Sequence, residues 1–209
     1  MTDVKICGLT RPEDVELSCS LGAAYVGFVF ARGSPRRITL DTARELAGVT
    51  APGVVRVGVF VDEPRSAIAE AVDAGRLDLV QLHRPLAEGD VATSSRPIVA
   101  VVRVRGGVPE IPAEALLAGC RAMLFDTAEP GRTGGTGRTF DWSIVEKRTW
   151  PLPVILAGGL RPSNVFDAIT KVRPAAVDVS SGVEHSPGVK DRPGLRRFFE
   201  EVRRADAKV

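Results

Sequence analysis

Cysteine and histidine are scarce in this chain, which holds three of the first and two of the second among 209 residues. The cysteines, Cys7, Cys19 and Cys120, are odd in number and have no metal-ligand spacing. Neither a disulfide framework nor a metal site is expected, and reduced thiols fit a cytoplasmic protein. Aromatic residues are only 5% of the chain, and 28 basic residues against 26 acidic ones leave a formal charge of +2. That composition lacks both the basic footprint and the stacking side chains of nucleic-acid binding. No apolar run approaches the roughly 20 residues that span a bilayer, and Met1-Thr2-Asp3 leads straight into a strand-like run without a signal-peptide pattern. The C-terminal segment carries Arg196, Arg197, Arg203 and Arg204, but Glu200, Glu201 and Asp206 balance them, as on a solvated helix face. No nucleic acid and no membrane is expected as a partner, and the chain is expected to be a monomer or homodimer.

What is present is one pattern, repeated. Strand-like apolar runs begin at Val4 and recur at 25–30, 54–61, 79–83, 98–104, 122–126, 154–157 and 176–179. Between most of them the spacing turns helical. Ala43, Leu46 and Ala47 share a face, as do Ile68, Ala71 and Val72; Val165, Ala168, Ile169 and Val172 repeat the pattern, and so do Leu195, Phe198, Phe199 and Val202. The segments 86–91 and 113–117 predict only weak or short helices after strands four and five. Pro12, Pro64 and Pro162 suit helix openings, and Thr10 with Glu13 reads as a capping box. Eight such units predict an α/β fold, a single-domain (β/α)8 TIM barrel with a closed, parallel, eight-stranded sheet covering 1–209. An open doubly wound sheet would alternate too, but seldom needs eight strands of this even spacing.

Chemistry gathers where the strands stop, the edge at which such sheets collect ligands. The first strand ends Cys7-Gly8, so this thiol stands at a loop edge. There it is either a base or nucleophile with a stabilised thiolate, or a small buried hydrophobe. Cys19 and Cys120 read as packing residues. Strand two runs on into 30–37 with Arg32, Arg36 and Arg37; strand four ends Gln81-Leu82-His83, and strand six ends at Asp126. Singly, Asp126 and Asp178 could cap helices, His83 could be a satisfied loop imidazole, and the arginines could form a solvated turn. Together they place a thiol, an imidazole, two carboxyls, an amide and a guanidinium on one rim, and desolvating that set lowers stability unless function requires it. Gly158-Gly159 after strand seven and Ser180-Ser181-Gly182 after strand eight supply backbone amides suited to a phosphate. The glycine run 131–137 is either a lid or a surface loop.

Lys5-Ile6-Cys7-Gly8-Leu9-Thr10, Val80-Gln81-Leu82-His83, Leu124-Phe125-Asp126-Thr127, Gly134-Gly135-Thr136-Gly137 with Phe140-Asp141-Trp142, Leu156-Ala157-Gly158-Gly159-Leu160, the run from Val177 to Glu184, and Pro187-Gly188-Val189-Lys190-Asp191 stand in one order along the chain. In that order they resemble the phosphoribosylanthranilate isomerase family. The resemblance implies an isomerase that turns N-(5-phosphoribosyl)anthranilate into 1-(2-carboxyphenylamino)-1-deoxyribulose 5-phosphate in tryptophan biosynthesis, an Amadori rearrangement by general acid–base catalysis. It implies a small-molecule phosphorylated substrate and neither a metal nor an organic cofactor. By the same resemblance Cys7 is the general base and Asp126 the general acid. Arg36 meets the anthranilate carboxylate, and Gln81, His83 and Asp178 line the substrate rim. Gly158, Gly159, Ser180, Ser181 and Gly182 hold the phosphate. Arg84 departs from the pattern, standing where the family usually has Gly, ahead of a short connection to strand five. Two alternatives stand beside this. The related ribotide isomerase of histidine biosynthesis, or a barrel serving both substrates, is one; Cys7 stands where that enzyme has Asp. A phosphate-binding barrel without catalysis is the other.

Overall fold

Eight parallel strands close on themselves in chain order: β1 (Asp3–Cys7), β2 (Tyr25–Val29), β3 (Val55–Phe60), β4 (Leu79–Leu82), β5 (Ile98–Val104), β6 (Cys120–Thr127), β7 (Val154–Leu156) and β8 (Ala176–Val179). The coordinates are a computed structural model that describes residues 1–105, 107, 109–127, 139–146 and 148–208. The seam is the β1–β8 pairing, where Val4 faces Val177 and Lys5 faces Asp178. Helices α1 (Pro12–Leu21), α2 (Leu40–Val49), α3 (Arg65–Ala74), α4 (Glu88–Thr93), α5 (Glu114–Leu117), α6 (Ser143–Glu146), α7 (Val165–Val172) and α8 (Arg192–Asp206) follow the strands in turn. The short helices expected after strands four and five are there, and α6 is as short as α5. A hairpin of β9 (Glu184–Ser186) and β10 (Val189–Lys190) precedes α8, an element that the apolar patterning does not predict.

Period-two alternation divides each strand between two cores. Outward-facing residues such as Ile6, Val26, Val80, Leu82 and Val177 join Leu46, Val165, Ile169, Phe198 and Phe199 in the layer between sheet and helices. Residues of the opposite phase, among them Val57, Leu79, Val99, Leu124 and Ile155, pack together as a separate cluster inside the barrel. The inner phase also carries the polar set Lys5, Cys7, Gln81, Asp126 and Asp178. The barrel is therefore apolar at its base and polar toward the strand ends.

Helix starts differ in detail from the sequence expectation. The N-cap of α1 is Arg11, in extended backbone and without a side-chain cap, and Pro12 opens the helix. Thr10 thus lies one residue too early for the expected capping box, and its hydroxyl instead donates to the Gly188 carbonyl at 2.6 Å. Pro64 occupies the N-cap of α3, and Pro162 lies in the turn before α7, whose N-cap is Asn164. Cys120 is the first residue of β6 rather than its approach, and with Cys19 it packs against the core as a half-buried free thiol. The apolar stripe of α8 makes Phe198 fully buried. Phe198→Ala should lower the unfolding free energy by about 3–5 kcal/mol in urea denaturation. A loss below about 1 kcal/mol would show that α8 lies outside the cooperative core.

Candidate active site

The strand ends open onto a cavity of about 580 Å³. Cys7, His83, Asp126, Asp178 and the β2–α2 loop from Ala31 to Arg36 line it, as do Ala157–Leu160 and Ser180–Gly182. One wall is apolar, built from Val29, Ala31, Val59 and Val61 beside Cys7. That wall was not picked out in the sequence, although its residues share the inward phase of β2 and β3. It offers a surface for a flat ring between the thiol and Arg36.

Cys7 is the last residue of β1, and Lys5 lies two positions behind it on the same face. The Lys5 ammonium is 1% exposed and donates to both carboxylate oxygens of Asp178 at 3.0 Å across the seam. Gly27 faces Cys7 in the β1–β2 register, and a Cβ there would lie 2.9 Å from the Cys7 sulfur and 3.2 Å from Lys5 Nζ. The missing side chain of Gly27 is what leaves room for this pair. Burial opposes the Lys5 charge, but Asp178 and Cys7 outweigh it and raise its pKa above the ordinary value. Burial pushes the Cys7 thiol up, Lys5 pulls it down, Asp178 raises it again, and Lys190 lowers it. The sum of these influences leaves the thiol above its ordinary value. Lys5 was quoted in the opening motif without a role. Its signal was available, since a lysine within an inward-facing apolar strand needs a buried anion.

Asp126, on β6, is held nearly out of solvent. Burial and then the Asp178 carboxylate push its pKa up to about 6, against the Thr127 amide, Arg103 and Lys5. His83 faces the same cavity, its pKa lowered to about 3 by burial, Lys5 and Arg103, so the imidazole is neutral. Gln81 does not reach the cavity wall, contrary to its expected place on the rim. It is fully buried, and its Nε2 lies 2.6 Å from His83 Nε2, holding the ring from beneath. Arg103 donates to the His83 carbonyl at 3.1 Å. Arg84 turns away and clasps Asp90 with two bonds of 2.5 and 2.6 Å, while Asp90 also accepts from the Ala87 amide. The non-glycine residue after His83 is thereby used to tie the β4–α4 connection.

Gly158 and Gly159 both adopt left-handed backbone, with φ of 83° and 67°. A Cβ on Gly158 would strike the Thr127 amide at 2.6 Å and approach Asp126 Oδ1 to 3.1 Å, so this glycine also lets the turn after β7 pack against Asp126. Asn164 Nδ2 donates to the Gly159 carbonyl at 3.0 Å and fixes the turn. Across from it, Ser181–Val183 form one 3-10 turn. Arg36, on the β2–α2 loop beside the end of β1 and Ser180, has its side chain 14% exposed and its Nε and Nη2 bound to Glu184. The glycine run 131–137, including the Gly134–Gly137 motif, lies outside the described residues. Among those described, no group of three or more His, Cys, Asp or Glu could hold a metal ion, and no helix is long and apolar enough to cross a membrane.

The family model for N-(5′-phosphoribosyl)anthranilate isomerase matches residues 4–201. The N-(5′-phosphoribosyl)anthranilate isomerase of Thiobacillus denitrificans is 43% identical over 200 residues, covering 96% of this chain and 97% of that relative. The crystal structure of the phosphoribosylanthranilate isomerase of Thermus thermophilus superposes with a TM-score of 0.82 at 34% identity, covering 97% and 99% of the two chains. A further phosphoribosylanthranilate isomerase structure, solved in complex with reduced 1-(o-carboxyphenylamino)-1-deoxyribulose 5-phosphate, is 35% identical with a TM-score of 0.78, at 97% and 99% coverage. This chain belongs to the N-(5′-phosphoribosyl)anthranilate isomerase family, the aldose–ketose isomerases that convert N-(5-phosphoribosyl)anthranilate to 1-(2-carboxyphenylamino)-1-deoxyribulose 5-phosphate in tryptophan biosynthesis.

Proposed function

We propose that this chain performs that isomerisation with Asp126 as general acid and Cys7 as general base. The supporting observation is the pairing of a carboxyl that holds its proton to about pH 6 with a thiol beside two buried ammonium groups, on one cavity. Asp126 protonates the ribose ring oxygen as the anomeric C–O bond breaks, leaving a Schiff base at the anthranilate nitrogen. The cationic nitrogen acidifies the adjacent C2′ proton. Cys7 takes that proton as thiolate, the electron pair moves toward nitrogen, and an enolamine forms. Protonation at C1′ and loss of the C2′ hydroxyl proton give the aminoketone. All atoms stay in the molecule, so the reaction consumes no co-reactant.

The reactive form needs a thiolate and a neutral carboxyl together, the reverse of the order in which the free groups ionise. Lys5 and Lys190 favour the thiolate, while Asp178 favours the proton on Asp126. Arg36 takes the anthranilate carboxylate and the apolar wall takes its ring. The amides around Gly158–Gly159 and Ser180–Gly182 take the phosphate, the ligand feature that the reduced product analogue bound to a relative shares. Addition of purified protein to N-(5-phosphoribosyl)anthranilate should abolish its fluorescence as the adduct rearranges; persistence of the signal would refute the activity.

Cys7→Ala and Asp126→Asn should each reduce kcat by at least about 10²–10⁴-fold with folding retained, whereas KM changes less. Near-normal turnover in either would remove that residue from the mechanism.

The raised Asp126 pKa also predicts a stability effect. A carboxyl raised on folding from 3.8 to about 6 stabilises the fold fully below pH 4, and that contribution is lost as pH rises through 6. At pH 7 the ionised group is a liability of roughly 3 kcal/mol. Asp126→Asn should therefore be more stable than the parent at pH 7 and show little gain at pH 3.5, by denaturant titration. Equal gains at both pH values would show that the carboxyl is not perturbed.

Gly159→Asp sets a side chain and a negative charge where the phosphate docks. It should raise KM and the product dissociation constant together, abolish competition by inorganic phosphate, and lower kcat less than the acid–base variants do. A folded variant with unchanged KM and phosphate inhibition would place the phosphate elsewhere.

A further inference from the structure

Behind Arg36 lies a buried cluster that the reaction scheme does not use. Glu184, at the start of β9, is 4% exposed, and the Lys190 side chain, at the end of β10, is 0% exposed. Glu184 accepts from Arg36 Nε at 2.8 Å and Nη2 at 2.5 Å, and from Lys190 Nζ at 2.9 Å. Lys190 Nζ also donates to the Cys7 carbonyl at 2.6 Å and the Ser180 carbonyl at 3.2 Å. All three N–H donors of the ammonium are thus committed, and it has none left for a ligand. Burial opposes the Glu184 charge, but the Arg36 bond and the Lys190 charge hold its carboxyl below the usual range. Gly8 completes the arrangement. A Cβ there would lie 2.5 Å from Arg36 Cδ, so the Arg36 stem can lie over the end of β1 only because this residue is glycine.

Burial lowers the Lys190 pKa below its ordinary value against the pull of Glu184; with its three bonds to one carboxylate and two carbonyls made as an ammonium, the cluster holds two cations and one anion. Were Glu184 to act alone, it would neutralise Arg36 and compete with the substrate carboxylate. Lys190 cancels that charge and leaves one net positive charge. The only outlet for it is the Nη1 side of Arg36, which has no partner among the described residues and belongs to a residue lining the cavity.

We infer that Glu184 and Lys190 are positioning residues for substrate carboxylate recognition: Glu184 fixes which edge of the Arg36 guanidinium faces the cavity, and Lys190 cancels the Glu184 charge so that Arg36 keeps its pull on the anion. This rests on the assignment of Arg36 to the anthranilate carboxylate. A second consequence follows from the Lys190 bonds to the Cys7 and Ser180 carbonyls: the anchor of the carboxylate is also the anchor of the strand end that bears the base.

The test is a ratio of dissociation constants, measured by calorimetry at pH 7, for two probes. One is reduced 1-(2-carboxyphenylamino)-1-deoxyribulose 5-phosphate, and the other is its phenylamino counterpart without the carboxyl. Lys190→Met should reduce the preference for the carboxylated probe by about tenfold, the scale of one unit charge at short range in a partly buried site. The double variant Lys190→Met with Glu184→Gln restores one net positive charge on Arg36 and should bring the ratio back to within about threefold of the parent. A merely structural role predicts the opposite, a double variant worse than the single one. An unchanged ratio in Lys190→Met, or no recovery in the double variant, overturns the inference. If Lys190→Met fails to fold, Glu184→Gln decides: with Lys190 kept and the competing anion removed, the preference for the carboxylated probe should rise, and an unchanged or lower preference overturns the inference. Arg36→Met separates the two levels. Loss of preference there with no response to Lys190 leaves the Arg36 assignment standing and this inference fallen, whereas an unchanged preference in Arg36→Met removes the assignment itself.

Discussion

A buried ion pair spans the seam at which the sheet closes, and the site is organised around it. Lys5 on β1 and Asp178 on β8 face one another in register and meet with two bonds of 3.0 Å. Removing one partner of such a pair leaves a buried charge uncompensated, which costs about 3–5 kcal/mol. The geometry gives the pair more than a structural use. The ammonium stands beside the thiol and the carboxylate beside Asp126, so one pair biases two titrations in opposite senses. Lys5 favours loss of the Cys7 proton, and Asp178 favours retention of the Asp126 proton. Burial is the largest influence on both groups, and each member of the pair also acts across it, Asp178 raising the thiol and Lys5 lowering the Asp126 carboxyl.

The fold was legible because strand and helix periods alternate cleanly and because the strands are apolar on both faces. The weak helices α4 and α5 were legible for the same reason in reverse, since their segments have few apolar positions. What escaped was set by contacts distant in sequence. Thr10 and Glu13 satisfy the capping-box spacing, but the Thr10 hydroxyl is drawn to Gly188, 178 residues away. The hairpin β9–β10 has no hydrophobic alternation to announce it, since Glu184 and Lys190 point into a polar cluster. Within the site, the strand-end residues Cys7, His83, Asp126 and Asp178 could be gathered from topology alone. Gln81 could not be separated from them, because its position in β4 does not reveal that it is fully buried against the His83 ring.

Lys5, Glu184 and Lys190 belong to a different class of omission. Each stands in a motif, yet each is bound to another charged side chain of the protein. A charged residue on an otherwise apolar strand is a sign of an unseen partner, but the partner is set by closure of the sheet, which brings β1 and β8 together from opposite ends of the chain. The apolar wall of Val29, Ala31, Val59 and Val61 was hidden for a simpler reason. Apolar residues near strand ends look like core until a cavity is seen beside them.

The hairpin carries a consequence for the order in which the molecule comes into being. Lys190 holds the carbonyl of Cys7 across 183 positions of chain, and the Thr10 hydroxyl holds the carbonyl of Gly188. In a chain emerging residue by residue, the cation that anchors the end of β1 follows the thiol by 183 positions. The strand that closes the barrel, β8, precedes this cation, so the seam can pair before the end of β1 is anchored. The half-made protein therefore holds a thiol without a site around it, and competence is withheld from every fragment that stops short of β10.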